Sequence, residues 1–101
     1  MITRLVKLTL KDEMIDAFRV DFEASKHQIR GFRGCRYLDL LSDISDTRVF
    51  FTYSIWDSPD DLENYVSSSL FKSIWKKVKP MFAEKTEAWS TEVISTTGNM
   101  S

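Results

Sequence analysis

Between Phe50 and Trp75 the chain sets large flat side chains along one strand, a helix start and a second helical stretch: Phe50, Phe51, Tyr53, Trp56, Tyr65, Phe71 and Trp75, with Tyr37 joining from the preceding strand. Such a grouping has two uses. It can close into a dense core, or it can wall a pocket for a flat aromatic ligand. Aromatics at strand or helical spacing are usually core. Tyr65 and Trp75 carry the pocket reading best, because a buried phenol hydroxyl or indole N–H needs a partner.

Other residues able to do chemistry are few. His27 is the only histidine and Cys35 the only cysteine, so a zinc cluster or a Ser-His-Asp or Cys-His arrangement has little to draw on. His27 falls off the apolar stripe of its helix and reads as a surface residue rather than a general base. Cys35 reads as a small buried hydrophobe; with no disulfide partner it points to a reducing cytoplasm. Lys26, His27, Arg30, Arg33 and Arg36 form a local basic cluster, read as a solvated face offset by Asp39 and Asp43. Lys72, Lys76, Lys77 and Lys79 read as the wet side of the last helix, their stems covering apolar surface. Paired carboxylates, a phosphate-binding glycine loop, CxxC and HExxH are all missing from the sequence.

The elements that must position the aromatics follow from the apolar periodicity. At 101 residues the chain is long enough for one domain whose core needs neither metal nor disulfide. Its formal charge of −1 gives no electrostatic reason to expect nucleic acid or an anionic membrane as partner. Neither a signal peptide nor a membrane span is expected. Ile2 to Leu10 alternates with period two and predicts a strand, with Arg4, Val6 and Leu8 on one side and Thr3, Leu5 and Lys7 on the other. A helix opens near Lys11 or Asp12 and runs to about Arg30, presenting Ile15, Phe18, Phe22, Ser25 and Ile29 as one stripe. Gly31 terminates it and Gly34 turns the chain into a strand over 35–41. A polar turn over 42–48 leads to a third strand over 49–56, making an antiparallel hairpin. Ser58-Pro59-Asp60-Asp61 is the clearest local signal: a cap, a proline suited to the first turn, and acids that complement the helix dipole. Ser67-Ser68-Ser69 interrupts that helix or recaps a second piece, and from Leu70 a broad stripe runs through Phe71, Ile74, Trp75, Val78, Met81 and Phe82, with Pro80 near its end. A last strand is expected over 88–94. The domain is taken as residues 1–95, with a flexible tail over 96–101.

The resulting order, β-α-β-β-α-β, is the α+β ferredoxin-like arrangement: a four-stranded antiparallel sheet with its helices on one face. The third strand is apolar or aromatic on both sides, Val49, Phe51, Tyr53 and Ile55 against Phe50, Thr52, Ser54 and Trp56. A helix-free face of that kind is expected to meet a second copy of the chain in a twofold dimer.

Gly34-Cys35, Phe50-Phe51-Thr52-Tyr53-Ser54, Trp56-Asp57-Ser58, Leu62-Glu63-Asn64-Tyr65, Ser68, Leu70-Phe71, Trp75 and Ala88-Trp89-Ser90, in that order, resemble the antibiotic biosynthesis monooxygenase family and, within it, the small quinol-monooxygenase-like members. The resemblance covers about residues 1–95. It implies a dimeric α/β barrel, two sheets packed face to face, and oxidation of a small quinol or phenolic aromatic by O₂ with no cofactor. It also implies a haem-degrading branch as an alternative. That branch places a haem-ligating histidine where Trp75 stands, a tryptophan at Tyr65 and an asparagine near Val6, so haem chemistry is disfavoured here. Nearer relatives often carry arginine after the Tyr65 position and proline at Arg33; this chain has Val66 and Arg33.

A cofactor-free oxygenase must hold a flat phenol in a dry cleft, favour its anion and admit O₂. The substrate-binding candidates are Tyr65, Trp75, Phe71, Trp56 and Tyr37, with Tyr53 also considered and Ser54, Ser68 or Arg36 as polar company. No catalytic base is assigned. The alternative function is non-catalytic binding of a small apolar aromatic metabolite in the same pocket.

Overall fold

The computed structural model describes residues 1–98. Strand β1 (Ile2–Thr9) leads through a 3₁₀ turn (Asp12–Met14) into helix α1 (Ile15–Arg30). Strands β2 (Cys35–Ser42) and β3 (Val49–Trp56) form the hairpin, helices α2 (Pro59–Val66) and α3 (Ser69–Val78) follow, and after a 3₁₀ turn (Lys79–Met81) the chain enters strand β4 (Glu87–Thr91). The sheet order is β2-β3-β1-β4 and every pairing is antiparallel. This is the expected ferredoxin-like α+β architecture, with the second helix divided in two.

The division has a local cause. Ser58 caps α2 by accepting from the Asp61 amide at 3.2 Å. Ser68 does the same for α3, accepting from the Phe71 amide at 3.1 Å while its own hydroxyl donates to the Tyr65 carbonyl. One serine thus closes one helix and opens the next, satisfying end groups that would otherwise need water. Pro80 lies in the 3₁₀ turn after Val78, where α3 stops.

Register divides the sheet into two faces. Arg4, Val6 and Leu8 of β1 share the inner face with Thr52, Ser54 and Trp56 of β3, Leu38 and Leu40 of β2, and Ala88 and Ser90 of β4. Against this face α1 presents Phe18, Ser25 and Ile29, all buried. Leu8, Leu10, Phe18, Phe50 and Val78 make the closed core at the Thr9 end of β1, with Ile74, Trp75 and Phe82 packed beside it. Leu10 lies just past β1, bridges to Phe82 and is fully buried.

The outer face carries Leu5, Phe51, Tyr53, Ile55, Tyr37, Leu41 and Trp89, by the alternation of the same registers. Tyr37, Leu41 and Trp89 are each more than two-fifths exposed there. Strand β4 is shorter than the 88–94 expected. Thr91, paired with Thr3, is the last rung of the β1–β4 ladder, and Val93 and Ile94 stand exposed. Of the tail expected over 96–101, residues 96–98 belong to no helix or strand and 99–101 lie outside the described residues.

Candidate functional site

The half of the inner face nearest Trp56 is not filled. Between it and the helices lies a cavity of about 300 Å³, floored by Arg4, Val6, Thr52 and Ser54 and walled by Trp56, Tyr65, Phe71 and Trp75 among others. In the helix layer over it, Ser25, a small residue, occupies the α1 stripe between Phe22 and Ile29, and the second helix is interrupted between Val66 and Ser69 rather than running on as one rod.

The wall is one run of interlocked rings. Trp56 stacks on Tyr65 (centroids 4.9 Å apart, 25° between planes), Tyr65 meets Phe71 edge-on at 5.3 Å, and Phe71 stacks on Trp75 at 5.7 Å and 11°. Trp75 continues to Phe82 at 5.4 Å. Phe32, from the loop after α1, contacts both Tyr65 and Trp56 and backs the first stack. Offset and edge contacts of this kind each add stability beyond area burial, which fixes ring planes against which a ligand ring can lie.

Polar groups on the wall are few and individually committed. The Trp56 indole N–H donates to Ser54 Oγ at 2.9 Å, and both residues are buried. Tyr65 is different: its hydroxyl makes no hydrogen bond among the described residues, and burial pushes its pKa up to about 12. At neutral pH it is an uncharged O–H donor on a residue that lines the cavity, and after burial the nearby Cys35 thiol adds to the upward shift. Asp21, buried on α1, also lines the cavity; Lys77 of α3 reaches it at 2.7 Å (Nζ to Oδ1).

Four of the sequence candidates, Tyr65, Trp75, Phe71 and Trp56, are brought together on this wall. Tyr37 is not. The ladder slips between Cys35, which pairs with Trp56, and Tyr37, which pairs with Ile55. That bulge places Arg36 as an extra residue and reverses the alternation, so Leu38 takes the inner position and Tyr37 the outer one. There its ring meets Tyr53 edge-on at 5.9 Å and its hydroxyl donates to Asp39 Oδ2 at 2.8 Å, which pushes the phenol pKa up. Tyr53 lies on that outer face as well.

The expected polar company changes too. Ser54 is present, bonded to the indole, while Ser68 is spent on capping α3. Arg36 pairs with Asp57 through two bonds of 2.6 and 2.8 Å on the surface, outside the cavity. His27 is exposed on α1, and Cys35 is buried with its thiol pKa raised by desolvation. Among the described residues no group of three His, Cys, Asp or Glu side chains is placed to hold a metal ion.

The cavity's two charged residues, Arg4 and Asp21, are not among the sequence candidates. Each carried a signal. Arg4 shares the period-two side of β1 with Val6 and Leu8, and Asp21 sits three residues after Phe18 and four before Ser25, on the apolar stripe of α1.

The family model for antibiotic biosynthesis monooxygenases matches residues 1–77. Among solved structures, a provisionally named antibiotic biosynthesis monooxygenase from Nitrosomonas europaea superposes with a TM-score of 0.86 at 17% identity, covering 94% of this chain and 100% of that one. Rv0793 from Mycobacterium tuberculosis gives 0.85 at 14% identity (96% and 98% covered), and a conserved protein from Methanosarcina mazei Go1 gives 0.83 at 17% (90% and 91%). At these identities the likeness establishes the fold. No curated protein matches the chain.

Proposed function

Because the chain belongs to the antibiotic biosynthesis monooxygenase family, we propose that it is a cofactor-independent monooxygenase that oxidises a small quinol or phenol with O₂ in the cavity between sheet and helices. The observation that carries this reading is the cavity itself. It is about 300 Å³, walled by the Trp56–Tyr65 and Phe71–Trp75 stacks, with an unpartnered and neutral Tyr65 hydroxyl beside them. That volume is at the low end of the roughly 300–1,000 Å³ usual for small-molecule sites, which suits a compound of one or two rings.

The chemistry asked of the protein is modest. A quinol that loses its O–H proton becomes a strong reductant, and its anion passes electrons to O₂. One oxygen atom joins the ring and the other leaves as water. Parallel ring planes hold the substrate, the apolar wall excludes water from the reacting anion, and the Tyr65 O–H can donate to a ring oxygen as charge builds there. No histidine lines the cavity and Trp75 stands on its wall, so haem degradation remains disfavoured.

A second reading has one observation in its favour. The carboxylate on the cavity wall, Asp21, is tied to Lys77, which leaves no free base at the ring wall. On that reading the pocket binds a small apolar aromatic metabolite without turning it over. Oxygen-electrode measurements on the purified protein with a panel of quinols and anthrone-like phenols, without added metal or flavin, separate the two. Uptake above the spontaneous rate supports the oxygenase; uptake at the spontaneous rate throughout the panel, with ligands still bound, supports the binding protein.

The protein acts as a homodimer through the outer sheet face. The half-exposed Tyr37, Leu41 and Trp89 beside Leu5, Phe51, Tyr53 and Ile55 support this, since covering them removes apolar surface from water, with Lys7, Asp39 and Glu87 as the charged residues of the same face. Among the described residues no helix is long and apolar enough to cross a membrane, and the cytoplasm remains the proposed location.

A further inference from the structure

Arg4 lines a cavity whose other charged residue is Asp21 and whose walls are mainly apolar. The residue is half-buried, and among the described residues it has no carboxylate within ion-pair distance; its side-chain hydrogen bond runs from Nη1 to Ser90 Oγ at 2.8 Å. Register fixes where it stands. Arg4 lies directly across from Ser54 on β3 and from Ser90 on β4, all three on the inner face. Ser54 in turn holds the indole of Trp56, on which Tyr65 stacks. The Arg4 backbone is thus one strand away from Ser54, while its guanidinium reaches to Ser90 on β4, on the same face of the sheet.

The remaining charges do not answer it. Asp21, the carboxylate lining the cavity, is held by Lys77 on the helix side. Tyr65 stays neutral. The other lining residues are uncharged. A cation partly removed from water and left without a counter-charge is costly, and an anionic group on a ligand relieves that cost.

We propose that Arg4 is the oxyanion-binding residue of this cavity, so that a ring ligand is held as its phenolate in preference to its phenol. This deepens the reading of the cavity as an aromatic-ligand site and rests on it. In the binding step the phenol O–H bond breaks, the proton passes to water, and the electron pair stays on the oxygen facing the guanidinium. The role belongs to an arginine, whose charge persists at any working pH and whose planar fork offers several donors to one oxygen.

The test uses 4-nitrophenol, whose phenol and phenolate absorb at different wavelengths, titrated with wild-type protein and with Arg4→Gln and Arg4→Lys across a range of pH. For the wild type the ionisation midpoint of the bound probe falls by about one pH unit or more, equivalent to phenolate binding about tenfold tighter than phenol. Arg4→Gln loses that preference and Arg4→Lys keeps part of it. Equal affinity for both forms in the wild type, no binding of either form, or an unchanged midpoint in Arg4→Gln overturns the proposal. If Arg4→Gln does not fold, the wild-type midpoint decides alone. The readout is separate from turnover: a shifted midpoint without O₂ uptake sinks the oxygenase and leaves Arg4 standing. O₂ uptake with an unshifted midpoint does the reverse.

Discussion

Gly34 joins the start of β2 to the cap of α2, the helix that carries Tyr65. Its φ of +88° is a backbone conformation that L side chains rarely adopt, and a Cβ added there would overlap Cβ and Cγ of Asp61. Asp61 belongs to the cap of α2: its amide donates to Ser58 Oγ at 3.2 Å and its Oδ2 accepts from the same hydroxyl at 3.0 Å. The Gly34 carbonyl also accepts from the Asp57 amide at 2.9 Å, so β2 and the start of α2 are tied at one point. Gly34→Ala therefore carries two costs. The left-handed conformation contributes about 1–2 kcal/mol, and a disturbed N-cap contributes about 1 kcal/mol more. Reduced freedom of the unfolded chain returns about 0.5 kcal/mol, leaving a net loss of about 2 kcal/mol. In a domain of this size that lowers Tm by about 10 °C. Urea unfolding measures it, with Asp61→Gly as the second background. There the overlapping atoms are gone, and Gly34→Ala should cost only the conformational part. An equal loss in both backgrounds would show that the contact with Asp61 carries nothing, and a loss below about 0.5 kcal/mol in the wild-type background would refute the strain itself. Because Tyr65 lies further along α2, Gly34→Ala should also weaken ligand binding.

Tyr65 gives a pH signature. Its folded pKa of about 12 lies above its ordinary value of 10, so the fold favours the neutral phenol. That contribution is complete below pH 10 and is lost as pH rises from there toward 12. Tyr65→Phe, which keeps the ring, should therefore lose less stability than wild type across that window, by up to about 2 kcal/mol, as urea midpoints on either side of it will show. No difference in slope would contradict the burial of the hydroxyl. Asp21 and Lys77 can be tested by a double-mutant cycle on unfolding with Asp21→Asn and Lys77→Met. Since Lys77 is 67% exposed, the coupling should be about 1 kcal/mol rather than that of a sealed pair. The proposed homodimer is tested on the outer sheet face by Tyr53→Glu, which would place a charged carboxylate on the surface a partner copy must cover. Light scattering should give a monomeric mass with an unchanged far-UV spectrum, whereas a wild-type monomer at micromolar concentration would remove the homodimer.

Much of this fold is legible in the sequence because single elements announce themselves. Alternation through Ile2 to Leu10, the Ser58-Pro59 cap and the stripe from Phe71 to Val78 each name an element, and their order names the architecture. What the residues do not announce is register. The bulge at Arg36 moves Tyr37 to the far side of the sheet, and nothing in the composition of Cys35-Arg36-Tyr37 marks it, because it is set by where β2 meets β3. The end of β4 is likewise a matter of pairing: Val93 and Ile94 suit a strand by type, but the ladder with β1 stops at Thr91. At the site, aromatics were readable as a group, and Tyr65, Phe71, Trp75 and Trp56 do converge. Arg4 and Asp21 are charges, which by type belong at the surface. Their places on apolar faces were the clue.

The most direct measurement is the mass of the product formed from a quinol under heavy-isotope dioxygen, with wild-type protein and no added metal or flavin. A monooxygenase acting in this cavity incorporates one labelled oxygen atom per product, with the second label appearing in water. It does so above the spontaneous rate, and Tyr65→Phe and Trp75→Ala slow it. Product without label, or labelled product formed no faster than in buffer alone, would contradict the reading of this aromatic cavity as an oxygenase site.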